Sequence, residues 1–286
     1  MSSQQSSVSL MNLTALLHTL RRALDARFLV TALVCLFSAC SSTGGGGYNP
    51  TTPKYEINQE ALQRKPVKRL VIATANVSGE PTRYYLQKAA THVDDMVKTY
   101  LQNHGYQIAP SYEFENAWNQ AIRTYGDMYD PTTGKVDPAT WRAVMLTTMQ
   151  TLQAAGDIDA IVFTDVIDLD AAHDVGMDHL AQWDGVRRKP VMASAGAEGI
   201  PSGFNWSQPV KVASLSITIY STNLEGLFHG RGGLDTVQAL DTKDKTIYVR
   251  RKHVLDNDSN IQEGIQIAFH PFIKMKDYPG DAGPAK

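Results

Sequence analysis

Apolar residues recur with two different periods along the first half of the chain. The β-branched run at 68–77 predicts a buried strand, and apolar positions every three or four residues within 80–105 then predict a helix that stops at Gly105. A short strand at 106–110 precedes two more helical patterns, the second of which opens with Asp137 and Pro138 as cap and first turn. The apolar run 157–166 is typical of a strand buried on both faces. Strands separated by helices in this way predict parallel pairing.

The last third of the chain alternates with a period of two, which predicts antiparallel strands. The alternation in residues 209–220 slips at Ala213-Ser214, as expected for a β-bulge, and 221–226 predicts a hairpin turn. A helical pattern closes the chain at 259–269. The order predicts an α/β (α+β) fold: a mixed β-sheet with a parallel first half and an antiparallel C-terminal hairpin, with helices packed on the sheet.

A short apolar run near the N-terminus predicts export. Residues 28–39 contain ten apolar side chains out of twelve and follow three arginines, whereas a membrane-spanning helix needs roughly 20 apolar residues. This length and charge pattern predicts a secretory signal peptide. Met1 and Met11 both remain possible starts. A buried core helix is the alternative, and the glycine-rich stretch that follows disfavours it.

Cys40 follows Phe37-Ser38-Ala39, and these residues resemble the lipobox of bacterial lipoproteins, although Phe37 replaces the usual leucine. The resemblance implies cleavage before Cys40 and lipidation of its thiol, and an ordinary cleavage site is the alternative. The predicted organisation is a signal peptide at 1–39, a lipidated flexible tether at 40–66, one mixed α/β domain at 67–275 and a flexible tail at 276–286.

Charge and cysteine content exclude several classes of function. Removing residues 1–39 takes away three of the 27 basic and one of the 29 acidic residues, which leaves a formal charge of −4. Without a basic excess, nucleic-acid binding is not expected. Cys35 and Cys40 are the two cysteines of the chain, so the domain after Cys40 has no thiol for a disulfide, a zinc site or a nucleophile. No cofactor is expected.

Residues 173–208 lack any periodicity and predict a long loop. The part at 176–205 is predicted to bind a partner, because aromatic side chains lie in or beside it together with two arginines, which is the composition of an interface. The predicted contact residues are Trp183, Arg187, Arg188, Phe204 and Trp206. The alternative is that Trp183 and Trp206 pin the loop onto its own sheet.

A carboxylate–imidazole group at the end of the apolar run offers a second candidate site. Such residues can bind a divalent cation, and ligand sites favour the carboxyl ends of strands. The metal-site hypothesis uses Asp165, Asp168, His173 and His179. Residues 256–260 copy the start of a calcium loop, but Ile261 and Ile267 occupy the positions of its glycine and glutamate, so helix capping by Asp258 or Ser259 explains them better.

Several segments resemble a group of Gram-negative envelope lipoproteins over residues 68–273: the lipobox, "YLQNHGYQIAP", "AAGDIDAIVFTDV" and "LFHGRGGLD". The group includes the curli-secretion lipoprotein, lipoprotein activators of cell-wall synthases and the N-terminal domain of the Tol translocation protein. The resemblance implies a non-enzymatic protein anchored by Cys40 in the outer membrane, facing the periplasm and binding an envelope protein for secretion, assembly or wall synthesis. It is also compatible with a homo-oligomer. A metal-dependent enzyme or ligand-binding protein is the alternative.

Overall fold

In the computed structural model, residues 55–73, 84–130, 132, 135–156, 158–193, 199–243 and 246–279 are described. The predicted signal peptide, Cys40 and residues 41–54 of the predicted tether lie outside these ranges. None of the described helices is both long enough and apolar enough to cross a membrane.

The described residues form ten strands and five helices. The strands are β1 Tyr55–Ile57, β2 Arg69–Ile72, β3 Gln107–Ala109, β4 Ala160–His173, β5 Ala181–Trp183, β6 Val186–Arg188, β7 Val210–Ser221, β8 Gly226–Thr236, β9 Gln238–Asp241 and β10 Ile247–Arg250. The helices are α1 Gln59–Arg64, α2 Tyr84–Asn103, α3 Ser111–Tyr125, α4 Pro138–Ala155 and α5 Asp258–Phe269.

The main sheet has the strand order β1-β8-β7-β4-β2-β3. Strand β2 pairs in parallel with both β3 and β4, whereas β4, β7, β8 and β1 pair antiparallel in sequence across the sheet. The β5–β6 hairpin pairs with the end of β4, and β9 pairs with β10 as a separate ribbon. The predicted mixed sheet, with its parallel first half and antiparallel C-terminal hairpin, is confirmed, as is the bulge between Val212 and Ser214.

Successive side chains of β4 alternate between two hydrophobic cores, one on each face of the sheet. Val162 and Val166 pack with α2 and α5, while Ile161 and Phe163 pack with α3 and α4. Helix α4 starts as predicted, because the Asp137 carboxylate accepts hydrogen bonds from the amides of Ala139 and Thr140 and Pro138 needs no acceptor.

The glycines of β8 allow α5 to approach its backbone closely. A Cβ atom on Gly232 would overlap the carbonyl oxygen of Gly264, and one on Gly230 would overlap that of Ala268. The "HGRGGLD" segment is therefore a packing site between a strand and a helix, where glycine permits the two backbones to approach closely.

Both ends of the folded domain lie outside the predicted domain boundaries. Residues Tyr55–Ile57 pair with β8 and Asn58 caps α1, so ordered structure begins inside the predicted tether. These elements span three and six residues, which is too short to display a period. At the other end, Tyr278 is buried against His270 with ring centroids 3.7 Å apart, so the folded part extends into the predicted tail.

The last helix is capped by Asn257, one residue before the predicted cap. Its side-chain oxygen accepts hydrogen bonds from the amides of Ser259 and Asn260 at 3.1 and 3.3 Å. Asn257 has extended backbone angles, whereas Asp258 is already helical and so occupies the first turn. The acidic residues here have local roles: Asp258 lies in the first turn of the helix, where a negative charge is favourable, and Asp256 forms an ion pair with Arg251.

Candidate functional site

The predicted loop 173–208 contains a β-hairpin. Strand β4 continues to His173, and residues Ala181–Arg188 form the β5–β6 hairpin. Its turn is Asp184-Gly185, both with positive φ (35° and 86°), a conformation that Asp-Gly pairs adopt in two-residue hairpins. This dipeptide, flanked by apolar side chains, was the sequence signal that could have identified the hairpin.

The four predicted metal ligands are not brought together. Asp165 and Asp168 are three residues apart on one strand, so their side chains leave opposite faces of the sheet. Asp165 is buried on the side of α3 and α4, whereas Asp168 accepts a hydrogen bond from the Tyr85 hydroxyl at 3.2 Å on the side of α2. Among the residues that the structure describes, no group of three His, Cys, Asp or Glu could hold a metal ion. The metal-site hypothesis therefore lacks a geometric basis.

Two of the predicted contact residues hold the hairpin on the sheet instead. Trp183 is 2 % exposed and its indole N–H donates to the Ala213 carbonyl at 3.1 Å. Arg188 donates from Nε to the Leu234 carbonyl at 3.2 Å and forms an ion pair with Glu263 at 2.7 Å. For Trp183 the pinning alternative applies, and neither side chain offers a partner much surface.

The other three predicted contact residues have accessible surface. Arg187 is exposed, and Phe204 and Trp206 are half-buried. Both aromatic rings belong to a group that also contains two of the predicted metal ligands. We call this group the aromatic–histidine cluster: His173, His179, Phe204, Trp206 and Tyr248.

Trp206 lies at the centre of the aromatic–histidine cluster. The His179 ring stacks on it with centroids 4.1 Å apart, and the His173 ring meets it at an edge at 5.1 Å. Phe204 contacts Trp206 at 4.9 Å and Tyr248 at 5.8 Å, in both cases edge to face. The cluster therefore packs residues 199–209 against the end of β4 and against β10.

Burial shifts the pKa values of two groups in this cluster, His173 and Tyr248. It lowers the pKa of His173, while the backbone of Trp206 and Gln208, close to the ring but outside ordinary hydrogen-bond geometry, acts in the opposite direction. Burial also raises the pKa of Tyr248 to about 12. The Tyr248 hydroxyl and Nε2 of His173 are 2.9 Å apart, so two neutral groups share this hydrogen bond at pH 7.

A tight turn between β4 and β5 rises beside the cluster. We call residues 174–180 the exposed turn. Asp174 fixes its backbone: one carboxylate oxygen accepts from the amides of Gly176 and Leu180 at 3.2 and 3.0 Å, and the other accepts from the Gln182 side chain at 3.1 Å. The Asp174 amide in turn donates to the Leu180 carbonyl at 2.8 Å. Four hydrogen bonds thus give the turn a defined conformation.

The exposed turn presents two apolar side chains to solvent. Val175 and Met177 have relative exposures of 104 % and 98 %, whereas the other large apolar side chains classed as exposed in the described ranges reach at most 59 %, at Tyr112. Two exposed apolar side chains two residues apart, on a backbone that hydrogen bonds hold in place, are a candidate for the apolar centre of an interface. Neither residue was a predicted contact, because the exposure of a side chain in a loop has no periodic signal.

A separate cleft was not predicted at all. It has a volume of about 590 Å³ and lies between β1, α1 and the start of β8, with Glu56, Tyr220 and His229 in its wall. Thr218 also lines it, and its hydroxyl is 3.1 Å from Nδ1 of His229. The cleft exists because β1 adds to the sheet edge, and β1 was the element that the sequence pattern did not reveal.

Comparison with known proteins leaves the family open. No family model matches the chain, and no curated protein matches it significantly. Among solved structures, a PelC dodecamer from Paraburkholderia phytofirmans is similar to 75 % of this chain and 93 % of its own chain, at 9 % identity. The TM-score is 0.26, so this likeness carries no argument about the function of the chain.

Proposed function

We propose that this chain is a lipid-anchored protein of the outer membrane that faces the periplasm and binds another envelope protein without catalysing a reaction. The anchor is Cys40, whose sequence context resembles a lipobox behind an apolar run too short to span a bilayer. Fourteen residues lie between Cys40 and Tyr55, the first residue of β1. The resemblance to a lipobox implies three acyl chains on Cys40, which exceed the two anchoring signals that stable membrane attachment requires.

The binding surface in this proposal is the exposed turn with Trp206, which stacks on His179 of that turn, with Phe204 beside Trp206, and with Arg187 on the β5–β6 hairpin. The observation that carries it is the full exposure of Val175 and Met177 on a backbone that Asp174 holds in place. Burying one such side chain contributes roughly 1.5–3 kcal/mol, and a preformed turn avoids the entropy cost of ordering a loop on binding.

A pair of serine substitutions tests the surface. Val175→Ser combined with Met177→Ser should leave the unfolding temperature nearly unchanged, because substitutions of exposed side chains usually alter stability by less than about 0.5 kcal/mol. Recovery of the envelope partner in a quantitative crosslinking pull-down should fall about tenfold or more.

The matched control is Tyr112→Ser on α3, which also removes an exposed apolar side chain. It should recover the partner as the wild-type protein does. Equal recovery by the double variant and the wild type would exclude the exposed turn as the binding surface.

A further inference from the structure

The methionines of this chain differ sharply in their access to solvent. Seven of the nine lie in the described ranges. Met128, Met145 and Met149 are at most 2 % exposed, and Met96, Met192 and Met275 are half-buried. Met177 alone among these seven is fully exposed, and it belongs to the proposed binding surface.

We propose that Met177 is a site of reversible oxidation by peroxides and that its oxidation switches off binding through the exposed turn. This inference rests on the proposed function of that turn. In the reaction, the Met177 sulfur attacks one peroxide oxygen. The new S–O bond forms as the O–O bond breaks, and the other oxygen leaves as water after a proton shift. The sulfur loses two electrons and the peroxide gains them.

The exposure of Met177 makes the oxidation selective for this residue, and its place in the binding surface makes the oxidation affect binding. Oxidation follows exposure, so the thioether of Met177 meets peroxide as readily as one in an unfolded peptide, whereas the buried methionines are shielded. The product is a polar sulfoxide in place of an apolar thioether. A partner surface that fits Val175 and the Met177 thioether would have to desolvate the sulfoxide oxygen without a matching donor.

The chemistry is tested first, without any partner. The purified full-length protein is treated with increasing hydrogen peroxide and mapped by peptide mass spectrometry. Met177 should be oxidised at least about tenfold faster than Met145 and Met149, and faster than the half-buried methionines. Oxidation of Met96 or Met192 at the same rate as Met177 overturns the assignment of the site.

The switch is tested next, on protein oxidised only at Met177. Its recovery of the envelope partner should fall about tenfold or more and should return after treatment with the two methionine sulfoxide reductases. A variant with Met96→Leu, Met192→Leu and Met275→Leu should lose binding on oxidation just as the wild type does, because none of these residues belongs to the surface. Met177→Leu should make recovery insensitive to peroxide.

Each failure has its own signature. If the oxidised protein recovers the partner as well as the untreated protein does, the switch is overturned. If the double serine variant also recovers it fully, the binding surface itself is wrong; if the serine variant does not, the surface stands and only the switch falls.

Discussion

His173 is held between rings of the aromatic–histidine cluster, and its position opposes protonation. Burial is the main cause of its lowered pKa, and the neighbouring His179 adds to the effect while Asp174 opposes it. In the unfolded chain the imidazole returns to its ordinary pKa near 6.5. Between the two values the unfolded state binds more protons than the folded state.

The folded protein should therefore lose stability in mild acid. The contribution of His173 is complete above about pH 6.5 and is lost as the pH falls through its folded pKa. Thermal unfolding between pH 7.5 and pH 5 should show a larger drop in melting temperature for the wild type than for His173→Gln, which cannot be protonated in this range. An equal drop in both proteins would contradict a neutral, buried His173.

The predicted contact residues show how far the exposure of a single side chain could be inferred from the sequence. Aromatic and arginine side chains in 173–208 indicated an interface, and Phe204, Trp206 and Arg187 do lie at accessible positions. Composition alone could not distinguish them from Trp183, because in a segment without hydrophobic periodicity nothing indicates whether a tryptophan is buried or exposed. Trp183 is buried because it packs with residues distant in the chain, such as Val210 and Val212, and its indole N–H finds an acceptor in the Ala213 carbonyl.

At the scale of elements, prediction succeeded where a period could be counted and failed where it could not. Helix α2 buries Leu86, Val93, Val97 and Leu101 as its spacing indicated. By contrast, β1, β5 and β6 each have three residues. A strand this short depends on its pairing partner, here β8 or β4, and that partner is set by the tertiary structure.

The contact between β8 and α5 gives a test at the same scale. Gly232→Ala should destabilise the fold by about 1–3 kcal/mol, because the added methyl group overlaps the Gly264 carbonyl and the helix must move away. Gly203→Ala is the control, since its Cβ would meet open space. Chemical denaturation measures both, and a Gly232→Ala protein as stable as the control would show that the close packing is not required.

For the whole molecule, the mixed sheet was predictable because its long strands and helices alternate in an order that permits few topologies. The location was also inferred from sequence, from a segment outside the described residues. Cys40→Ala should abolish incorporation of labelled palmitate and release the protein from the membrane fraction or trap it as precursor. Equal labelling of Cys40→Ala and the wild type would show that Cys40 is not the lipidated residue.

Photo-crosslinking in intact cells can test directly whether the membrane-anchored protein binds an envelope partner through the exposed turn. A benzophenone amino acid replaces Met177 in one protein and Tyr112 in another, each with Cys40 retained. If the exposed turn is the binding surface, position 177 should give a discrete adduct with one envelope protein and position 112 should give none. Absence of an adduct at 177, or the same adduct from both positions, would contradict it.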